Sequence, residues 1–169
     1  MDKKLLSIKE IALFGMLGAL TFGAKYVMAP LPNIEPVSLF VMLFGVVFGW
    51  KALWPVGVYV AMEILVYGIQ LWNLNYLYVW GSLAVAAWLL KKFRNPFFWA
   101  TVSGLFGMAF GLLCSPVYVF IGGFDYARRW WLAGLPYDIP HCIGNFVIAL
   151  VLFVPLRILL TKLYRKYIR

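Results

Sequence analysis

The chain has 169 residues, of which 64% are hydrophobic and 12% are charged, and its formal net charge is +9 at pH 7. Soluble globular proteins are roughly 45–50% apolar even when glycine is counted, so a water-soluble fold would expose too much apolar surface. At about 20 apolar residues per crossing, the length allows roughly six transmembrane helices and excludes a separate extramembrane domain. We therefore expect an all-α integral membrane protein that forms a single domain over residues 1–169.

Apolar runs and the breakers between them divide the chain into a series of predicted spans. These spans lie near residues 9–29, 37–50, 52–70, 75–90, 97–121 and 138–160. The connections are short except for 122–137, where tryptophans stand beside Arg128 and Arg129, as is typical of a segment in the headgroup region. The second run supplies only about 21 Å of helix against a hydrocarbon core of roughly 30 Å, so a short span and a re-entrant pair both remain open.

The basic residues are unevenly divided between the two sides of the predicted spans. One side holds 12 of the 15 Lys and Arg residues, whereas the other holds Arg128, Arg129 and, near the end of the first span, Lys25. Cytoplasmic loops of membrane proteins are enriched in Lys and Arg. The distribution therefore predicts cytoplasmic N and C termini, and it accounts for the net charge without nucleic acid as a partner.

Three predicted spans carry polar side chains at apolar depth, where such groups are costly unless they face protein or a cavity. Helical spacing places those of each span on one face. They are Lys25 in the first span, Glu63, Tyr67 and Gln70 in the third, and Asp138, His141 and Asn145 in the sixth. Because all of them lie in the outer half, we predict that they converge on one outward-facing pocket. The alternative is that Lys25 snorkels to the headgroups while Glu63 and His141 pair between helices.

Aromatic and amide side chains are predicted at the same level of the membrane. They are Trp72, Tyr76, Tyr78, Trp80 and Tyr118 beside Asn73 and Asn75. Flat rings suit a planar heterocycle, and we predict Trp72, Asn75, Tyr78 and Tyr118 as ligand contacts. Anchoring at the membrane interface would also explain these tryptophans and tyrosines.

The connection 30–36 contains three prolines together with Asn33 and Glu35. Prolines stiffen the backbone, so we expect an irregular loop over the outer mouth, with Asn33 and Glu35 available to a ligand. A lid and an ordinary connector both fit this pattern.

Gly15, Ala19 and Gly23 recur at four-residue spacing in the first span. Such a stripe of small residues lets another helix approach closely, and both internal packing and docking of a partner protein fit it. No phosphate-binding loop, zinc-protease motif, CxxC pair or nucleophile elbow occurs in the sequence. We therefore predict no catalytic residue, no metal site and no cofactor, and we expect that the chain is not an enzyme.

The whole pattern resembles the substrate-binding membrane subunit, or S component, of the energy-coupling factor (ECF) vitamin transporters. The likeness rests on IKEIALFGMLGA at 8–19, LPNIEPV at 31–37, FIGG at 120–123 and DIPHCIGNF at 138–146. The resemblance implies capture of a vitamin in an outward-facing pocket and closure of the loop 30–36 over it. It also implies docking through small residues of the first span onto a transmembrane scaffold subunit coupled to two ATPases. The family usually has AxxxA at that stripe, and this chain departs from it with Gly15 and Ala19.

The resemblance implies a multi-pass protein of the bacterial plasma membrane, surrounded by lipid, whose ligand is a vitamin or related micronutrient. The mixed charges of Lys25, Glu63, Asp138 and His141 favour a zwitterionic or amide-rich heterocycle over a simple anion. A corrinoid such as cobalamin and a B6-type vitamin are both compatible. The alternative function is a non-transporting six-helix membrane scaffold protein, in which the polar side chains join helices.

Overall fold

The computed structural model describes residues 6–31 and 33–168, and these residues form helices and no β-strand. The α-helices are α1 (Ile8–Met28), α2 (Val37–Phe48), α3 (Leu53–Tyr67), α4 (Leu71–Leu89) and α5 (Pro96–Tyr167), with a short 3₁₀ helix, Gly49–Ala52, between α2 and α3. Three stretches are long and apolar enough to cross a membrane: Ile8–Met28, Val37–Tyr67 and Pro96–Tyr167. The prediction of an all-helical protein is confirmed, and the apolar stretches indicate a membrane-embedded one.

Polar side chains mark where three of the helices begin. Ser7 and Glu10 form a reciprocal capping box at the start of α1, in which each side chain accepts from the backbone N–H of the other residue. The Asn95 side chain accepts from the N–H of Phe97 at 2.8 Å and precedes Pro96, which needs no donor in the first turn of α5. Asn73 likewise accepts from the Gln70 N–H at 2.6 Å at the start of α4. These caps satisfy backbone donors that have no partner within the helix.

The described residues contain five α-helices, whereas six separate spans were predicted. The difference arises because the segment 122–137, which we predicted as a connection, is helical apart from Gly123. The backbone of Gly123 has φ 80° and ψ −179°, values that only glycine adopts readily. Gly123 therefore divides α5 into two arms, residues 96–122 and 124–167.

The two arms of α5 pack against each other in antiparallel orientation. Near the break, the rings of Tyr118 and Trp130 stack with centroids 3.9 Å apart. Far from it, Trp99 and Phe153 stack at 4.4 Å. Without the break, this helix would be about 108 Å long at 1.5 Å per residue, far more than a bilayer accommodates. The glycine turns it into a helical hairpin instead.

Glycines permit close helix contacts within the bundle. A Cβ atom on Gly18 of α1 would lie 2.6 Å from the Val58 side chain of α3. A Cβ on Gly45 of α2 would collide with the carbonyl oxygen of Ala84 in α4. Larger residues at these two positions would force the helices apart, so the glycines fix the spacing of α1 against α3 and of α2 against α4.

The two ends of the bundle differ in charge. One end gathers the start of α1, the 3₁₀ helix, the loop 90–95 and the last turns of α5. There Glu10 accepts hydrogen bonds from Lys51 at 2.6 Å and from Tyr164 at 2.7 Å. We call it the basic end, since it carries Lys9, Lys51, Lys91, Lys92, Arg94, Arg157, Lys162, Arg165 and Lys166.

The opposite end, which we call the pocket end, holds the loop 29–36, the end of α3, the start of α4 and the break at Gly123. The first and last described segments lie together at the basic end, where Lys9 Nζ donates to the Tyr167 carbonyl at 3.3 Å. The start of α1 and the end of α5 therefore lie at the same end of the bundle.

Candidate functional site

The polar cluster at the pocket end is built around an ion pair between α1 and α3. Lys25 Nζ lies 3.1 and 3.0 Å from the two carboxylate oxygens of Glu63. The Glu63 side chain is only 1% exposed, whereas that of Lys25 is 22% exposed. The carboxylate is therefore held inside the bundle, and the ammonium group at its surface remains accessible from one side.

A second carboxylate approaches the same ammonium group from the loop 29–36. Glu35 Oε2 lies 4.0 Å from Lys25 Nζ. Burial raises the pKa of Glu35, and the Glu63 carboxylate acts in the same direction, while Lys25 opposes them. With two carboxyl groups facing one ammonium group, the cluster can accommodate a further cationic or hydrogen-bond-donating group.

Described residues of the loop between α1 and α2 contact both this cluster and α5. Asn33 adopts a left-handed backbone with φ 58°, a conformation that asparagine tolerates better than most residues. A Cβ on Gly144 would lie 3.2 Å from Ile34 Cγ1, so the loop packs directly on the second arm of α5. Ile34 therefore packs on α5, while the next residue, Glu35, lies beside Lys25 of α1.

Tyrosine rings form the wall beside the ammonium group. Lys25 Nζ lies 3.3 Å from the Tyr76 hydroxyl, 5.1 Å from the Tyr76 ring centroid and 6.0 Å from that of Tyr59. The negative face of an aromatic ring attracts a cation at such distances. A cavity of about 320 Å³ opens here, lined by Lys25, Glu63, Tyr67, Trp72 and Tyr76.

Four residues that the sequence singled out therefore line one cavity, namely Lys25, Glu63, Tyr67 and Trp72, and a fifth, Glu35, lies 4.0 Å from Lys25. The sequence analysis grouped Tyr76 with the aromatic residues near the predicted pocket but did not name it as a ligand contact. It did not single out Tyr59 at all. The missed signal was helical spacing, because Tyr59 precedes Glu63 by four residues and Tyr67 follows it by four.

Gln70 and Asn33 lie at the edge of the site. The Gln70 side chain donates to the Tyr67 carbonyl at 3.3 Å and is exposed at the start of α4. Asn33 supplies the turn of the loop 29–36. Both residues shape the segments around the cavity but are not among the residues that line it.

Asp138, His141 and Asn145 form a second polar cluster. The Asn145 side chain donates to Ser38 Oγ at 2.9 Å and to the Ser103 carbonyl at 3.3 Å. Asp138 Oδ1 accepts from the Gly111 N–H at 3.2 Å. The cluster joins the two arms of α5 to each other and to α2. Asp138 Oδ2 and His141 Nε2 are buried there without a hydrogen-bond partner among the described residues.

Aromatic side chains separate this second cluster from the cavity. Trp80 contacts Phe110 with ring centroids 5.3 Å apart, and Phe110 contacts His141 at 5.0 Å. The rings thus stand between the tyrosine wall and the His141 cluster. Lys25 of α1, Glu35 of the loop and Glu63 of α3 therefore lie together, whereas Asp138, His141 and Asn145 of α5 form a separate cluster.

The remaining predicted contacts support packing between helices. The Tyr78 hydroxyl donates to the Leu113 carbonyl at 2.8 Å and lies 3.1 Å from Asn75 Oδ1. Tyr118 stacks on Trp130 near the break in α5. These side chains hold α4 and the hairpin together and do not line the cavity.

The stripe of Gly15, Ala19 and Gly23 faces away from the bundle. A Cβ on Gly15 or Gly23 would meet no described atom within 4 Å, and Ala19 is exposed. The glycine of α1 that packs internally is Gly18, on a different face. The stripe is therefore open to a neighbouring helix.

Comparison of the chain with models of known protein families, with functionally characterised proteins and with solved structures gave no match.

Proposed function

We propose that this chain is the substrate-binding S component of an ECF-type transporter, which captures a vitamin or related micronutrient for uptake driven by partner subunits. The observation that carries the proposal is the charged cavity at the pocket end, where Lys25 pairs with Glu63 and Glu35 approaches the same ammonium group from the loop 29–36. Ionisable residues within membrane helices are rare and commonly mark substrate or ion sites, which supports the proposal.

The proposed topology has six crossing segments, namely α1, α2, α3, α4 and the two arms of α5. The break at Gly123 supplies the reversal between the last two, and the 3₁₀ helix supplies the one between α2 and α3. The basic end faces the cytoplasm by the positive-inside rule, and both termini lie there. The cavity then faces the outside of the bacterial plasma membrane.

Cavity size and chemistry narrow the class of ligand. A volume of about 320 Å³ is near the lower limit of small-molecule sites and suits a single small heterocycle. A B6-type vitamin or a compound of similar size matches this volume more closely than a corrinoid does. Its ring would stack on Tyr76 or Trp72, and a cationic or donor group would face Glu35.

Uptake would require energy from other proteins, because the sequence has no nucleotide-binding loop. The outward-facing stripe on α1 offers a docking surface for a scaffold subunit with two ATPases. Bulky residues at such stripes prevent helices from approaching closely. In this proposal the loop 29–36 helps to retain the ligand in the cavity. The loop packs on α5 through Ile34.

Co-purification from the native membrane tests this proposal. The tagged chain should retrieve a membrane scaffold and two ATPases, and Ala19→Leu should abolish the retrieval. Ala61→Leu, the same substitution at an exposed position of α3, is the matched control and should retain the partners. Retrieval of cell-wall or cytoskeletal proteins without ATPases would overturn the proposal in favour of a membrane scaffold protein.

A further inference from the structure

A large groove lies at the basic end, far from the candidate ligand cavity. It has a volume of about 1040 Å³ and runs between the end of α2, the loop 90–95 and the last turns of α5. Its lining combines Lys91, Arg94, Arg157, Lys162, Arg165 and Lys166 with the apolar side chains of Val46, Val47, Val154 and Ile158.

Among the residues that the structure describes, the cations of the groove have no acidic partner. Within the described chain, the carboxylate at this end is Glu10, which is engaged by Lys51 at 2.6 Å. None of the six groove cations forms an ion pair with a described carboxylate. Like charges gathered in one concave surface repel one another and create a strong positive potential, which an anion would relieve.

The groove is held in shape by hydrogen bonds to the backbone. Arg157 donates to the carbonyls of Phe93 and Lys91 at 2.6 and 2.7 Å. These bonds fasten the loop 90–95 to the second arm of α5, so Lys91 and Arg94 are presented from one side and Lys162 and Arg165 from the other. The cations are thus positioned by the fold and do not merely share a flexible tail.

We propose that this groove binds an anionic phospholipid, with its phosphodiester among the six cations and an acyl chain along Val46, Val47, Val154 and Ile158. Basic pockets between transmembrane helices are suited to anionic headgroups. The apolar wall distinguishes a lipid from a soluble phosphate compound, since free phosphate gains nothing from aliphatic side chains. The basic end of a membrane protein also lies at the depth where headgroups and acyl chains meet.

Native mass spectrometry with added phosphatidylglycerol tests the assignment, with phosphatidylcholine as the neutral comparison. The wild-type protein should retain phosphatidylglycerol selectively. Lys162→Gln/Arg165→Gln should weaken the retention of phosphatidylglycerol by about thirtyfold. Each basic residue near an anionic membrane surface contributes about 1 kcal/mol to binding, and the variant removes two of them. Both side chains are exposed, so the fold should tolerate the change.

Arg128→Gln/Arg129→Gln is the matched control, since it removes the same charge from two exposed residues at the pocket end. It should retain phosphatidylglycerol as the wild-type protein does. Ile158→Ser should reduce lipid retention while preserving all six cations. Equal loss in the groove and control variants would overturn the proposal. So would binding of glycerol phosphate as tight as that of the lipid, or displacement of the lipid by an acidic peptide.

Discussion

At the scale of single residues, the Lys25–Glu63 pair explains how two charges persist within an apolar bundle. Glu63 is almost fully buried, and its oxygens both contact the Lys25 ammonium group at about hydrogen-bond length. Breaking a buried pair leaves an uncompensated charge and typically costs about 3–5 kcal/mol, although an apolar replacement of both partners is often neutral. A structural role and a binding role can therefore be separated by removing one partner or both.

We expect Lys25→Met and Glu63→Leu each to lower the thermal stability of the purified protein markedly. The double variant Lys25→Met/Glu63→Leu should recover most of the loss, because the Glu63 carboxylate is then no longer buried without a partner and Glu35 loses only a contact at 4.0 Å. Melting in detergent measures all four proteins of this double-mutant cycle. Additive losses in the double variant would contradict a direct pair.

Glu35 should make stability depend on pH. Its pKa is raised above the ordinary value of 4.5, so the folded protein binds the proton more tightly than the unfolded chain does. Stability is then greatest below that ordinary value and falls as the pH rises through the raised pKa. Glu35→Gln should melt higher than the wild-type protein at pH 7 and equally at pH 4. A lower melting temperature at pH 7 would mean that attraction to Lys25 outweighs burial.

The sequence predicted which residues share a helical face but not which faces meet. Glu63 and Tyr67 follow from spacing alone, as do Asp138, His141 and Asn145. Only the packing reveals that α3 turns its polar face to Lys25, while the sixth predicted span turns its own face to Gly107 and Gly111. The position of these residues along their helices predicted the end of the bundle at which they lie, but not which neighbouring helix each face contacts.

At the scale of elements, the break in α5 depends on one residue. The φ of 80° at Gly123 lies where a side chain is strained, and backbone strain of this kind costs about 1–3 kcal/mol. Gly123→Ala should therefore destabilise the hairpin. Gly134→Ala, at a helical glycine with open space around it, is the control and should be neutral or stabilising by up to about 1 kcal/mol.

Thermal melting of these two variants provides the measurement, and identical behaviour would show that the turn tolerates a side chain. The sequence did not reveal this turn, because Gly122 and Gly123 stand within a run that was read as a connection. The predicted spans 97–121 and 138–160 both fall within α5, but its second arm begins at residue 124, well before the predicted start at 138. What could not be foreseen is that helical hydrogen bonding continues up to a single glycine on both sides.

At the scale of the whole molecule, charge segregation gives the bundle two unlike ends. Nine described Lys and Arg residues lie at the basic end, whereas Lys25, Arg128 and Arg129 lie toward the other. The uneven distribution of Lys and Arg was already visible in the sequence. The contacts between α1 and the last turns of α5 show that the basic residues of these two segments lie at the same end of the bundle.

Cysteine labelling in intact cells tests the proposed orientation. In a background without Cys114 and Cys142, Ile69→Cys at the pocket end should react with a membrane-impermeant maleimide. Lys92→Cys at the basic end should react only after permeabilisation. Both positions are exposed, so accessibility depends on the side of the membrane. The reverse pattern would place the cavity in the cytoplasm.

The central claim is that the Lys25–Glu63 cavity holds a small molecule. Mass spectrometry of the compounds released from the purified wild-type protein and from Lys25→Met/Glu63→Leu tests it most directly. The account predicts one small heterocyclic compound, close to one per chain, that is present in the wild-type protein and absent from the double variant, whose stability is largely restored. The same compound in both proteins, or none in either, would contradict it.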